Sequence, residues 1–140
     1  MTDPQAVKPK PGFLSRLLDI FFVVTACSGL LRMVGALGQK SLLVKFGLAE
    51  WLPWYLFGAG LAVAAVNLAA FIFFKTRSAH RVSFAWAAVA GSILLYWVER
   101  LFMWSPDQQS GNTFFMIGYH SLCLCVLVAY TVTERKKRSN

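Results

Sequence analysis

Residues Trp54 to Phe74 read WYLFGAGLAVAAVNLAAFIFF, an apolar run with no charged residue and a single amide, Asn67. As a helix, about 20 such residues cover the roughly 30 Å of hydrocarbon in a bilayer. The composition of the rest of the chain decides between a buried core helix and a membrane span. Of 140 residues, 57% are hydrophobic and only 14% are charged. Soluble chains average about 25% charged residues, so there are too few here to cover a water-facing surface. Intrinsic disorder is excluded by the same figures, because it requires low hydrophobicity. Three cysteines in so apolar a chain are not the framework of a small disulfide-stapled domain. The fold class expected is therefore all-α, an integral membrane four-helix bundle.

Working outward from residues 54–74, three further spans are expected, at about 17–37, 82–104 and 114–133. They divide the chain into an N-terminal segment 1–16, a four-span domain 17–133 and a basic tail 134–140. Lys and Arg concentrate on the cytoplasmic side of short loops. Lys8, Lys10 and Arg16 precede span one, and Lys75, Arg77 and Arg81 lie between spans two and three. Arg135, Lys136, Lys137 and Arg138 follow span four. In a four-span chain these regions share one side, which places both termini in the cytoplasm. The tail then meets anionic inner-leaflet lipids, and nucleic-acid binding is not expected.

The external connections differ from each other. Ser105-Pro106-Asp107 through Gly111-Asn112 reads as a polar loop. Residues 40–53 hold Leu42, Leu43, Val44, Phe46 and Leu48, too apolar for a solvated loop, yet Lys40, Lys45 and Glu50 oppose burial. A short helix lying in the outer interface fits that mixture. Trp51 and Trp54 mark the headgroup level, as does Trp104 at the end of span three. Val24-Thr25-Ala26-Cys27 also resembles a lipoprotein cleavage box. Asp19 interrupts the preceding apolar segment, and the apolar pattern runs on to Leu37, so an uncleaved span is the expectation.

Ionisable residues inside spans are functional candidates by default. Arg32, Glu99 and Arg100 lie late in outward-going spans. His120 lies about 9 Å into an inward-going one, from a rise of 1.5 Å per residue. Arg32 shares a helix face with Ser28, Gly29, Gly35 and Ala36, and Glu99 with Ala88, Ser92, Tyr96 and Met103. Both faces point toward protein. Arg32, Glu99 and His120 form either a catalytic or proton-carrying cluster, or an Arg32–Glu99 pair that locks spans one and three, with His120 a packing residue. Arg100, flanked by Tyr96, Trp97 and Trp104, is expected to snorkel to the headgroups or stack on an indole. Gly60, Ala64 and Asn67 share one face of span two, expected to pack against a neighbour through an interhelical hydrogen bond. Cys27, Cys123 and Cys125 read as small packing residues. Their spacing gives no metal site, and no cofactor is expected.

Three stretches read together resemble a family of small four-span bacterial membrane proteins of unknown function. They are Gly29-Leu-Leu-Arg-Met-Val-Gly-Ala-Leu-Gly-Gln39, Leu52-Pro-Trp-Tyr-Leu-Phe-Gly58 and Tyr96-Trp-Val-Glu-Arg-Leu-Phe102. The resemblance implies a four-helix membrane fold in a bacterial cytoplasmic membrane, and no activity. The leading functional expectation is a non-enzymatic protein acting by interaction, as an accessory subunit of a membrane assembly or as a homo-oligomer. The alternative is a small redox or lipid-modifying enzyme using Arg32, Glu99 and His120. Transport as an oligomer is a third reading. Its features usually sit near the midplane, whereas these charges lie toward one surface. Intact-mass measurement of the membrane-extracted protein is expected to give a chain that retains the residues before Cys27. A lipid-modified product starting at Cys27 would overturn the uncleaved reading.

Overall fold

The computed structural model describes residues 12–45, 47, 49–103 and 112–139, without the side chains of 43, 44 and 137–139. The described chain is all-helical: α1 Phe13–Gly38, α2 Lys40–Lys45, α3 Leu52–Lys75, α4 Arg81–Phe102 and α5 Thr113–Ser139. α1, α3, α4 and α5 are each long and apolar enough to cross a membrane. They pack as a four-helix bundle, with α2 between the first two long helices.

Local chemistry explains most of the boundaries. Pro53 sits in the first turn of α3, where its missing N–H has no intrahelical partner to lose. At the other end of α3, Ser78 N–H donates to Phe73 O at 3.1 Å and Arg77 N–H to Phe74 O at 3.2 Å. Arg77 takes a left-handed φ of 52°. This is a Schellman closure with arginine in the position glycine usually fills, and it turns the chain into α4 within a few residues. The short helix expected between the first two spans is present as α2, Lys40–Lys45. Among the described residues no other helix lies between α1 and α3, and Gly47 takes a left-handed φ of 79°. α5 extends past Thr133 because Glu134, Arg135 and Lys136 are good helix formers with no glycine or proline to stop them. α4 ends at Phe102; Trp104 and residues 105–111, where a polar loop is expected, lie outside the described residues, as do Lys8 and Lys10. α1 runs unbroken through Cys27.

The closest approach in the bundle is between α1 and α3. A Cβ placed on Gly29 would lie 2.6 Å from Gly60 O and 2.8 Å from Ala64 N. A Cβ placed on Gly60 would lie 2.7 Å from Gly29 O. Backbone rests on backbone at this crossing, the arrangement that small residues permit where apolar solvent supplies no hydrophobic drive to pack. Toward the Lys75 end of α3, Leu18, Phe22, Ala70, Ala85, Val89 and Leu127 form the apolar core of all four long helices. Phe74 there packs on Phe22 and Tyr130, with ring centroids 5.3 and 5.1 Å apart. The outer surface is also apolar, with Leu31, Val34, Leu94 and Leu122 more than half exposed. Such a surface suits hydrocarbon and would be a liability in water.

Gly29→Ala is expected to lower unfolding stability in mild detergent by roughly 1–3 kcal/mol, because the methyl group meets backbone that has no room to yield. Gly35→Ala, with open space around its Cβ position, should be neutral or slightly stabilising. Equal stability of the two variants would show that the α1–α3 crossing is not tight.

Candidate functional site

The antiparallel run of the helices gathers the polar side chains of the spans into layers. At the Lys75 end of the bundle, Lys75 Nζ on α3 reaches Asp19 Oδ2 on α1 at 2.5 Å. Arg81 at the start of α4 pairs with Glu134 on α5. In the middle, Asn67 Nδ2 on α3 donates to Ser92 Oγ on α4 at 3.0 Å and to Val63 O at 2.9 Å. The Asn67 Oδ1 atom is buried without a partner, which makes this interhelical contact a partial one. Gly29, Gly60 and Ala64 form the close crossing one to two turns away.

The opposite end holds the charges that the sequence marks. Glu99 is 5% exposed. Arg32 Nη1 donates to its Oε2 and Arg32 Nη2 to its Oε1, both at 2.6 Å. The Tyr55 hydroxyl on α3 donates to Oε1 at 2.9 Å. One carboxylate thus joins α1, α3 and α4. Parallel two-bond contact of this kind is the strongest way for arginine to neutralise a carboxylate. It leaves Glu99 as an acceptor already in use, unable to take a proton from another molecule without breaking the pair.

Arg100 departs from its expected placement. It is 3% exposed, and it does not reach outward. Its Nη1 donates to Tyr96 OH at 2.8 Å and its Nη2 to Thr113 Oγ1 on α5 at 2.7 Å. The physical reason is that Thr113 and the Tyr96 hydroxyl offer fixed acceptors inside the bundle. A long guanidinium satisfied there has no need to find headgroups. Its guanidinium also lies over the Tyr96 ring, 5.8 Å from the centroid. Trp51 and Trp54 are exposed, at 59% and 55%, and Lys40 Nζ lies 4.7 Å over the Trp54 ring. Trp104 lies outside the described residues.

His120 does not join the ion pair. Trp97 Nε1–H on α4 donates to His120 Nδ1 at 3.1 Å, and the Tyr96 ring packs on the imidazole with centroids 5.1 Å apart. His120 and Arg32 instead line a common cavity of about 450 Å³ between α1, α4 and α5. Three partners escaped the reading of the sequence: Tyr55, Trp97 and Thr113. The level of Tyr55, one turn into the span beside Trp54, was the available signal, since it matches the depth of Glu99. The pairing of Trp97 with His120 has no counterpart signal in spacing. Among the described residues, no group of three His, Cys, Asp or Glu side chains comes together as a metal-binding set. Cys27 and Cys125 are exposed and Cys123 is buried, all as free thiols.

No protein-family model matches the chain, and no curated protein or solved structure is similar to it. The geometry of the bundle therefore carries the functional reading alone.

Arg32→Gln alone is expected to cost about 3–5 kcal/mol, because it leaves the buried Glu99 carboxylate uncompensated, and Glu99→Gln alone should cost less, because Arg32 is only part-buried. The double variant should recover much of that loss, and Tyr55→Phe should cost roughly 1–2 kcal/mol. A double-mutant cycle of unfolding free energies in detergent measures the coupling. Strictly additive losses would mean that the two groups do not act as a pair.

Proposed function

We propose that this chain is a non-enzymatic multi-pass membrane protein that acts by interaction, as an accessory subunit of a membrane assembly. The observation that carries this reading is the pairing of the charged side chains within the spans. Asp19, Arg32, Glu99 and Arg100 each have a partner inside the chain. A catalytic carboxylate would need an open site. Glu99 instead behaves as a junction between three helices, which supports rigidity over turnover.

The proposed setting is a bacterial cytoplasmic membrane, with both termini in the cytoplasm. Support for the orientation comes from the Lys75 end of the bundle, where Arg16, Lys75, Arg77, Arg81, Arg135 and Lys136 fall together. Positive charge so concentrated marks the cytoplasmic face and meets anionic lipids there. Support for the bacterial setting is the resemblance of the Arg32, Pro53 and Glu99-Arg100 stretches to small bacterial four-span proteins. The apolar exterior of the four long helices is the surface offered to lipid and to a partner helix.

The test is extraction from native membranes in a mild detergent, followed by native electrophoresis and mass spectrometry of the band. A larger complex is expected, with one membrane protein in fixed stoichiometry that survives a second purification step. A lone monomer after the gentlest extraction would overturn the subunit reading.

A further inference from the structure

The cavity between α1, α4 and α5 is lined mainly by apolar side chains, with a few polar groups converging on it. Phe21, Ile93 and Met116 supply apolar wall; Ser28, Arg32 and His120 supply polar groups. Its volume of about 450 Å³ falls within the roughly 300–1,000 Å³ typical of small-molecule sites. Val24 and Phe115 on the lining are 55% and 70% exposed, so the cavity opens to the outside of the bundle along α1 and α5. A ligand would enter from the apolar surroundings of the helices.

The polar groups define what the head of that ligand must be. His120 is 8% exposed. Its Nδ1 accepts from Trp97, so Nε2 carries the ring proton and is a donor. No acceptor for Nε2 is found among the described residues. Arg32 uses one N–H at each Nη on Glu99. Of the five donors on a guanidinium, three remain, on a side chain that is still 29% exposed. The wall therefore presents donors from α1 and from α5 whose acceptors are missing. Charge narrows the choice further. Arg32 is already balanced by Glu99, and the imidazole accepts at Nδ1 and is neutral, so neither of these two lining donors brings a surplus positive charge for a carboxylate or phosphate. An amine would set its N–H groups against the donors of His120 and Arg32, whereas the lining hydroxyl of Ser28 can serve either way.

We propose that this cavity binds an apolar-tailed molecule through a neutral carbonyl head, which accepts hydrogen bonds from His120 Nε2 and Arg32. Two membrane-soluble sources share that chemistry: the ring carbonyl of an isoprenoid quinone and the ester carbonyl of a neutral acyl lipid. Trp97 acts as a positioning residue, because its N–H fixes the imidazole tautomer that turns a donor toward the cavity. The inference stands apart from the accessory-subunit reading. The partner is tested for without the ligand, and the ligand without the partner.

The experiment uses the full chain purified in detergent, titrated separately with a short-tailed benzoquinone, with dioleoylglycerol and with a plain long-chain alkane, and read by native mass spectrometry. Binding of the quinone or of dioleoylglycerol, but not of the alkane, is expected and identifies the source. His120→Phe, which removes a donor, should weaken that binding about tenfold. Ser28→Trp, which fills the cavity from an exposed position on α1, should abolish it. Circular dichroism and monodispersity establish that each variant folds, and either folded variant suffices for the comparison. The proposal is overturned if neither carbonyl probe binds below about 100 µM. It is overturned equally if the alkane binds as well as they do, or if a folded variant keeps wild-type affinity.

Discussion

A carboxylate inside a bundle of apolar helices must be neutralised by the chain itself, because neither lipid nor packed side chains can solvate it. Glu99 meets that constraint by drawing Arg32 from α1 and Tyr55 from α3 onto one group on α4. The contact is directional as well as strong, so it sets the register of three helices at once. It also depends on distance. Arg32 lies about one turn of α1 from Gly29, where α1 and α3 cross backbone to backbone. The glycine crossing and the Tyr55 bond to Glu99 thus tie α1 and α3 at neighbouring levels, the first by close approach and the second by direction.

The remaining polar ties follow the same logic at lower stakes. α5 joins the bundle through Trp97 to His120, Arg100 to Thr113, Trp86 to Thr131 and Arg81 to Glu134. None of these pairs forces backbones together as the glycines do. The consequence is visible in the architecture, where α1 and α3 form a tight pair while α1, α4 and α5 leave a cavity between them. Polar groups that tie helices along the rims of a cavity also bring donors to its wall. His120 and Arg32 are examples, each with one side bonded to protein and donors left over.

Much of this was legible in the residues. Four apolar runs separated by charged or polar connections prescribe four long helices, and the clustering of Lys75, Arg77, Arg81 and Arg135 prescribes which ends lie together. Helical spacing places Arg32 and Glu99 on protein-facing sides. What spacing leaves open is the choice among partners on other helices. Arg100 illustrates the limit: a guanidinium beside aromatic residues at a span end has a plausible partner in lipid headgroups. It turns inward because Thr113, thirteen residues further along the chain at the start of another helix, arrives beside it. His120 is a second case, since its partner is Trp97 and not the ion pair with which it shares a level.

By itself the sequence determined the number and length of the helices, their alternating direction, and the small-residue face on which α3 packs. These follow from hydropathy and helical periodicity, which are properties of a single segment. Only the tertiary structure decided that one carboxylate would hold three helices, that Arg100 would be buried, and that a cavity with unsatisfied donors would remain between α1, α4 and α5. The physical reason is that hydrogen-bond partners and empty volume are set by the relative rotation and separation of helices distant in sequence. Those quantities come from packing all of the segments together, beginning with two glycines that allow the first pair to touch.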